Sequence, residues 1–88
     1  MNRTYYIATL HSEDGGYWVS FIDFPECFTQ GETLDETLSM AIEALELCIE
    51  DRIANNEEIP TPTVPDGEYN LDEKMIIVPY SIKEKMVA

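Results

Sequence analysis

Residues 15–37 of this 88-residue chain combine a turn, a strand and the start of a helix in one stretch, GGYWVSFIDFPECFTQGETLDET. Gly15 and Gly16 stand between two runs of alternating, β-forming residues, 4–11 and 17–23. Because glycine adopts positive φ at little steric cost, such an arrangement is typical of an antiparallel hairpin. Any fold of this chain must accommodate that hairpin.

Pro25 follows the second run and ends it, since proline has no N–H for a strand ladder. Residues 27–30 then form a short third strand before Gly31. Residues 74–80 are again rich in β-formers, and Pro79 favours an edge or strand-end position for them.

One long helix is predicted between the third and fourth strands. Thr33 and Glu36 form a capping box, in which the Thr hydroxyl accepts from the N3 amide and the Glu side chain reaches back to the cap amide. Apolar residues then recur at helical spacing, and we expect them to form the buried stripe. They are Leu34, Leu38, Ala41, Ile42, Leu45, Cys48, Ile49 and Ile53. The helix should end around 54–56.

These elements predict a single α+β domain over residues 1–88, with two layers in the order β-β-β-α-β. An antiparallel meander plus one further strand forms the sheet, and the long helix covers one face. Residues 59–73 form a proline-rich loop, and 81–88 form a short tail or helical turn. The opposite sheet face carries Trp18 and Ile22 and needs a cover, for which a dimer or another partner is the natural candidate.

The charge restricts the possible partners. Eighteen Asp and Glu face five Lys and Arg, a net charge of −13. Nucleic-acid affinity comes from Lys and Arg that neutralise phosphates, so direct nucleic-acid binding is disfavoured. Basic proteins are attracted instead, although acidity can equally serve solubility alone. No apolar run approaches the ~20 residues of a membrane span, and no signal peptide is visible, which predicts a cytoplasmic protein.

No residue pattern indicates catalysis, a metal or a cofactor. His11 has no nucleophile beside it in sequence, and Cys27 and Cys48 are predicted to be buried free thiols. The carboxylates Asp23, Glu26, Asp35 and Glu36 are better explained by capping and solvation than by metal binding. The remaining enzymatic hypothesis is a degenerate metal-dependent nuclease that uses Asp23.

The outer side of the predicted helix is a candidate partner-binding surface. Met40 and Leu47 lie nearly opposite the predicted core stripe, between carboxylates that would meet Lys or Arg of a partner. The five proposed contact residues are Glu36, Met40, Glu43, Leu47 and Glu50. The alternative is two scattered surface apolar side chains, which are common in soluble proteins.

The central stretch resembles the HicB antitoxins of type II toxin–antitoxin pairs, whose pattern is approximately GGYxVxFPDLPGCxTxGDTLEEALxNAxEAL. The ungapped matches are Gly15, Gly16, Tyr17, Val19, Phe21, Asp23, Pro25, Cys27, Thr29, Gly31, Thr33, Leu34, Glu36, Ala41, Glu43, Ala44 and Leu45. Ile22, Phe24, Glu26 and Met40 depart from the pattern. Glu26 replaces the usual glycine, so the turn geometry there is expected to differ.

The resemblance implies a partial ribonuclease-H-like fold without its catalytic carboxylates. It also implies a homodimer or tetramer and a basic HicA-type ribonuclease toxin whose RNA-binding and active-site surface this chain would occlude. The alternative function is a stand-alone homo-oligomeric regulator or scaffold without a toxin. Many members carry a C-terminal DNA-binding segment, and this sequence stops where one would begin. The chain therefore either lacks DNA binding or is a shortened version of a longer protein, and we expect no direct nucleic-acid binding by residues 1–88 themselves.

Overall fold

The computed structural model describes residues 3–63 and 75–81, which form one four-stranded sheet and one helix. The elements are β1 (Arg3–Glu13), β2 (Gly16–Phe21), β3 (Phe28–Gly31), α1 (Leu34–Ala54) and β4 (Met75–Ser81). The strand order is β3-β2-β1-β4, and each neighbouring pair is antiparallel. This architecture confirms the predicted α+β class and strand sequence, and β4, with Pro79, lies at an edge. Residues 64–73 of the predicted loop, residue 74 of the predicted fourth strand and residues 82–88 of the predicted tail lie outside the described residues; residue 81, predicted in the tail, is the last residue of β4.

The β1–β2 hairpin is closed by a two-residue turn, Asp14–Gly15. Glu13 pairs with Gly16, and Gly15 has a φ of 76°, as the glycine turn predicts. This turn fixes the strand register, and the register sets which side chains face the helix. The predicted alternation is confirmed, with Val19 and Phe21 buried on the helix side.

The core lies between the sheet and α1. Strand residues Tyr6, Ala8, Val19, Phe21 and Val78 pack with helix residues Ala41, Leu45 and Ile49, and with Phe24 and Cys27 from the segment between β2 and β3. The rings of Tyr6 and Phe24 meet edge to face, with centroids 5.0 Å apart. The Tyr6 hydroxyl donates to the Pro60 carbonyl at 2.9 Å, so the start of the proline-rich segment is attached to the core.

The predicted helix stripe is partly wrong. Leu34, Ile42 and Ile53 were expected in the core, but 44%, 40% and 57% of their surfaces are exposed. Thr37, a polar residue, is fully buried instead, and its hydroxyl donates to the Thr33 carbonyl at 2.7 Å. The core-facing direction is therefore rotated by about 50° from the predicted one, at 100° per residue.

The physical reason for this rotation is close approach between α1 and β3. A Cβ added to Gly31 would lie 2.5 Å from the Thr37 hydroxyl oxygen and 2.9 Å from the Thr37 nitrogen. Only a helix face of small residues fits against the sheet at that distance, and Thr37, Ala41 and Ala44 provide it. Local packing space, rather than hydrophobicity, selects the buried face.

Both ends of α1 are capped. At the N-terminus the Glu36 amide donates to the Thr33 hydroxyl at 3.1 Å, as the capping box predicts. The reciprocal bond differs by one residue, because the Glu36 carboxylate accepts from the Glu32 amide at 2.7 Å. At the C-terminus Asn55 is the cap and Asn56 has a φ of 57°, so the helix ends where expected.

Glu26, one of the four departures from the family pattern, forms an ion pair with Arg52 near the end of α1. Arg52 Nε and Nη2 donate to its two carboxylate oxygens at 2.8 and 2.9 Å. The guanidinium carbon also lies 4.9 Å from the centre of the Phe24 ring. Among the described non-glycine residues only Asn56 has positive φ, so a side chain at position 26 is accommodated without backbone strain.

Glu26→Gln should lower the melting temperature slightly at neutral pH and have no effect in acid. The hydrogen bond from Arg52 holds the pKa of the Glu26 carboxyl below its usual value. A group with a lowered folded-state pKa stabilises the fold above its unfolded pKa, and this contribution is lost as the pH falls through the folded value. The effect should be small, because half-exposed ion pairs are screened by solvent.

Thermal unfolding of both proteins between neutral and acidic pH measures this difference. Glu43→Gln, an equal loss of charge at an exposed helix position, is the matched control and should shift the melting temperature less. A Glu26→Gln deficit that persists unchanged in acid would contradict an ion-pair origin.

Candidate interaction surface

The five predicted contact residues lie together on the solvent side of α1. We call Glu36, Met40, Glu43, Leu47 and Glu50 the outer-helix surface. All five are exposed; Met40 retains 39% and Leu47 59% of its accessible surface. From Glu36 to Glu50 the surface extends about 21 Å along the helix, at 1.5 Å per residue.

The rotation of α1 changes the arrangement within this surface. Glu43 and Glu50 point almost directly away from the core, whereas Met40 and Leu47 lie about 110–130° from the core direction, on the flank beside β3. A second pair of exposed apolar side chains, Ile42 and Ile53, lies on the opposite flank. The carboxylates of Glu43 and Glu50 therefore lie along the line of α1 that is farthest from the core, which we call the crest of the helix. Exposed apolar side chains lie on both sides of this crest.

An acidic cleft continues the outer-helix surface towards the hairpin turn. Its volume is about 600 Å³, and Trp18 and Met40 contribute to its apolar lining. Four carboxylates, Glu13, Asp14, Glu32 and Glu36, also line it. Sequence reasoning missed this cleft, because the β1–β2 turn and the start of α1 are brought together only by the tertiary fold.

Glu36 also has a structural role in this region. Its carboxylate is held by the Glu32 amide at the N-terminus of α1, where the helix dipole favours negative charge. The position of this carboxylate is thus fixed by the fold. Glu43 and Glu50 are better targets for testing partner binding, since their replacement does not remove a cap.

The other candidate functional residues have local structural partners. Asp23 accepts two hydrogen bonds from Thr63, from the amide at 2.9 Å and from the hydroxyl at 2.6 Å. His11 stacks on Trp18 with ring centroids 3.7 Å apart. Within residues 3–63 and 75–81 no group of three His, Cys, Asp or Glu side chains is arranged to hold a metal ion.

Both cysteines are free thiols, as predicted. Cys27 is buried, and its thiol donates to the Ala44 carbonyl at 3.4 Å. Burial, together with the nearby Cys48 thiol, raises the pKa of Cys27 well above its usual value. Cys48 is only half-buried. A thiol held protonated in this way is a packing element of the core.

The sequence match to known proteins covers almost the whole chain. The family model of the HicB-like antitoxins of bacterial toxin–antitoxin systems matches residues 4–87. This chain belongs to the HicB-like antitoxin family. Antitoxin HicB 1 of Photorhabdus laumondii is 41% identical over 86 residues, and antitoxin HicB of Escherichia coli K12 is 36% identical over 83 residues.

The two antitoxins are longer than this HicB-like chain. The matches include 98% and 94% of this chain but only 52% and 57% of the respective antitoxins, so the chain spans about half of their length. The N-terminal domain of Burkholderia pseudomallei antitoxin HicB has a similar structure, with a TM-score of 0.67 and 23% identity. That similarity includes 92% of this chain and the whole of the solved domain, and it supports the fold. Among the described residues of the HicB-like chain no helix is long and apolar enough to cross a membrane.

Proposed function

We propose that this HicB-like chain neutralises a basic, mRNA-cleaving toxin of the HicA type in the cytoplasm. The outer-helix surface binds the RNA-contacting surface of the toxin and thereby occludes its active site. The observation that carries the proposal is the crest of exposed carboxylates flanked by exposed apolar side chains on α1. Apolar anchors surrounded by charges of one sign are suited to a partner of the opposite charge.

Charge explains why a chain of this kind would compete with RNA. A toxin that binds RNA needs a basic surface, and the net charge of −13 attracts that surface and accelerates encounter. α1 contributes six carboxylates, those of Asp35, Glu36, Glu43, Glu46, Glu50 and Asp51. Once bound, these carboxylates would repel phosphates from the same site.

We infer that the chain acts by binding and not by catalysis. Asp23 is the carboxylate on which the nuclease hypothesis depends. Both of its oxygens accept hydrogen bonds from Thr63, 40 residues further along the chain. This arrangement supports a role for Asp23 in attaching the segment after α1 to the end of β2.

Charge reversal at Glu43 and Glu50 together, to Lys, should slow association with the toxin by roughly 10-fold at low salt, because electrostatic steering is lost. The dissociation rate should change less. Stopped-flow or surface-based kinetics at several salt concentrations measures this, with the small basic protein that co-purifies with this chain as the binding partner. The difference from the unmodified chain should shrink as salt screens the charges.

The matched control reverses Glu57 and Glu58 instead. These residues are exposed beyond the end of α1, and the double substitution changes the net charge by the same amount. If both double variants slow association equally, net charge alone matters and the outer-helix surface is not the contact. Unchanged kinetics in the Glu43 and Glu50 variant would also contradict the proposal.

The second candidate function is a stand-alone homo-oligomeric regulator or scaffold. The observation that favours it is the sheet face opposite α1, where Tyr5, Phe28 and Ile77 are each at least half exposed. Co-purification with the product of the adjacent gene discriminates the two functions. A stable complex with a small basic protein supports the antitoxin, and its absence supports the stand-alone protein.

A further inference from the structure

We propose that a groove on the sheet face opposite α1, at the hairpin-turn end, binds an arginine side chain of the basic partner. We call it the aromatic groove; Trp18 and Phe28 form its walls, and Glu13 and Gln30 complete its lining. Its volume is about 410 Å³. This contact rests on the proposed function, because its partner is the basic toxin, and it adds a binding site outside the outer-helix surface.

The strand register places the lining side chains on one face of the sheet. Trp18 pairs with Gln30, so these two side chains lie side by side across β2 and β3. Phe28 lies two residues before Gln30 on β3 and therefore points to the same face, diagonally across from Trp18. Diagonal neighbours lie about 7–8 Å apart. This spacing matches two van der Waals contact distances of about 3.5–4.0 Å, which a flat group between two side chains requires.

His11 orients the Trp18 ring towards the groove. The two rings stack with centroids 3.7 Å apart and an interplanar angle of 12°, so one face of the indole is covered from the β1 side. His11 Nε2 lies 3.1 Å from the Ser20 hydroxyl, which holds the imidazole in place. Because the strand order is β3-β2-β1-β4, the other face of the indole is turned towards β3, where Phe28 is 68% exposed. Two aromatic surfaces are therefore available to one inserted side chain.

The chemistry of the groove selects a cation. The faces of Trp and Phe rings carry negative partial charge and attract a cation within about 6 Å. The Glu13 carboxylate at the end of the groove is exposed, and no described side chain forms an ion pair with it. Arg52 is the only Lys or Arg within residues 4–63 and 75–81, and Glu26 holds it at 2.8 Å. No cation of the described surface is thus available to the groove, and a basic partner can supply one.

Arginine suits this groove better than lysine. Its guanidinium is planar and weakly hydrated, so it stacks on aromatic faces, whereas the compact ammonium of lysine is strongly hydrated. The guanidinium also has five N–H donors, which can serve both the Glu13 carboxylate and the Gln30 side-chain oxygen. Arginine and aromatic side chains are enriched among the residues that dominate the binding energy of interfaces.

The aromatic groove is continuous with the surface that the proposed function uses. Glu13, Trp18 and Gln30 also line the acidic cleft, and the cleft extends to Glu36 and Met40 of the outer-helix surface. A toxin bound along α1 can therefore place an arginine in the groove without leaving the surface of the chain. In this arrangement the carboxylates of α1 accelerate association, and the groove slows dissociation.

The fluorescence of Trp18 reports directly on the groove, because the chain contains one tryptophan. Titration of the whole chain with acetylated tri-arginine amide should change the emission until it saturates. The tri-lysine peptide should change it less at the same concentration and ionic strength, and the uncharged tri-citrulline peptide should have no effect. The response should be lost in Phe28→Ala, which removes one wall of the groove.

Phe28→Ala should also raise the dissociation constant of the toxin complex by roughly 10-fold, as expected for the loss of an aromatic anchor. Most of this change should lie in the dissociation rate, whereas charge reversal at Glu43 and Glu50 slows association. Tyr5→Ala is the matched control, since Tyr5 is an aromatic residue of the same sheet face and is 50% exposed. It lies roughly 20 Å along β1 from His11, so its replacement should leave toxin binding unchanged. Circular dichroism establishes that each variant is folded.

Glu13→Gln provides a second test if Phe28→Ala fails to fold. Glu13 is exposed at the end of β1, and Gln keeps the size of the side chain while removing its charge. We expect roughly 5-fold weaker toxin binding and a smaller response of Trp18 to the arginine peptide. Glu57→Gln, an equal loss of charge at an exposed position beyond the end of α1, should change neither.

Three results would overturn the assignment of the groove. Trp18 emission that the arginine peptide leaves unchanged excludes binding there. Equal responses to the arginine and lysine peptides exclude arginine as the preferred occupant. Toxin affinity that is unchanged in folded Phe28→Ala, or reduced equally in Tyr5→Ala, excludes the groove as a toxin contact. An unmodified chain that binds no toxin contradicts the proposed function instead, and the peptide titration then decides whether the groove binds arginine.

Discussion

Leu45→Ala should lower the free energy of unfolding by roughly 2–5 kcal/mol, the cost of a large-to-small change in a packed core. Leu45 is fully buried at the centre of the α1 face that packs on the sheet, between Ala41 and Ile49. Because no part of the Leu45 side chain is exposed, its truncation removes only buried contacts, which places the expected loss towards the upper end. Urea or thermal unfolding followed by circular dichroism measures it.

Leu47→Ala is the control for this prediction. Leu47 is two residues further along the same helix and 59% exposed, so the same chemical change should alter stability by less than about 0.5 kcal/mol. Because the free energy of unfolding of so small a domain is only a few kcal/mol, Leu45→Ala is expected to leave a substantial unfolded population near 37 °C. Equal stability of the two variants would contradict the orientation of α1 described above, in which Leu45 faces the sheet and Leu47 faces solvent.

Gly31→Ala should destabilise the domain by roughly 1–3 kcal/mol through overpacking. The added methyl carbon would meet the Thr37 side-chain oxygen at 2.5 Å, and it would also meet the Thr37 backbone nitrogen and Cα at 2.9 and 3.0 Å. A side chain can rotate away, but the first turn of a capped helix cannot. The start of α1 must therefore move away from β3.

Combining Gly31→Ala with Thr37→Ala separates these contributions. The double variant removes the hydroxyl contact but not the two backbone contacts, so it should recover only part of the lost stability. Gly15→Asn is a second comparison, because open space surrounds that position and Asn tolerates its positive φ. Full recovery in the double variant would mean that the backbone of α1 adapts readily.

A displaced helix start should also affect the surface around it. Gly31, Glu36 and Met40 all line the acidic cleft, so Gly31→Ala changes the shape of that cleft as well as stability. Toxin affinity, measured at a temperature where the variant is folded, should then fall even though no carboxylate is removed. The same measurement on Gly15→Asn should show a smaller change.

The features predictable from sequence are those set by residues close together in the chain. The Asp14–Gly15 turn, the capping of α1 by Thr33 and its end at Asn55 follow from hydrogen bonds and φ preferences that operate within about four residues. Strand alternation likewise identified the face with Val19 and Phe21. The exposure of the outer-helix surface could also be predicted, since a helix with one buried stripe leaves the opposite side to solvent.

The sequence by itself therefore determined the order of elements, the two ends of α1, the acidic character and the family of this chain. Only the tertiary structure decided the rotation of α1, where buried Thr37 replaces exposed Ile42 and Ile53 as the core-facing residue. It also decided the partners of Glu26 and Asp23, which are 26 and 40 residues away in the chain. Helix rotation depends on the closest distance that Gly31 and the small helix residues permit. Hydrophobic periodicity counts which residues are apolar; it does not measure the space available between a helix and a sheet.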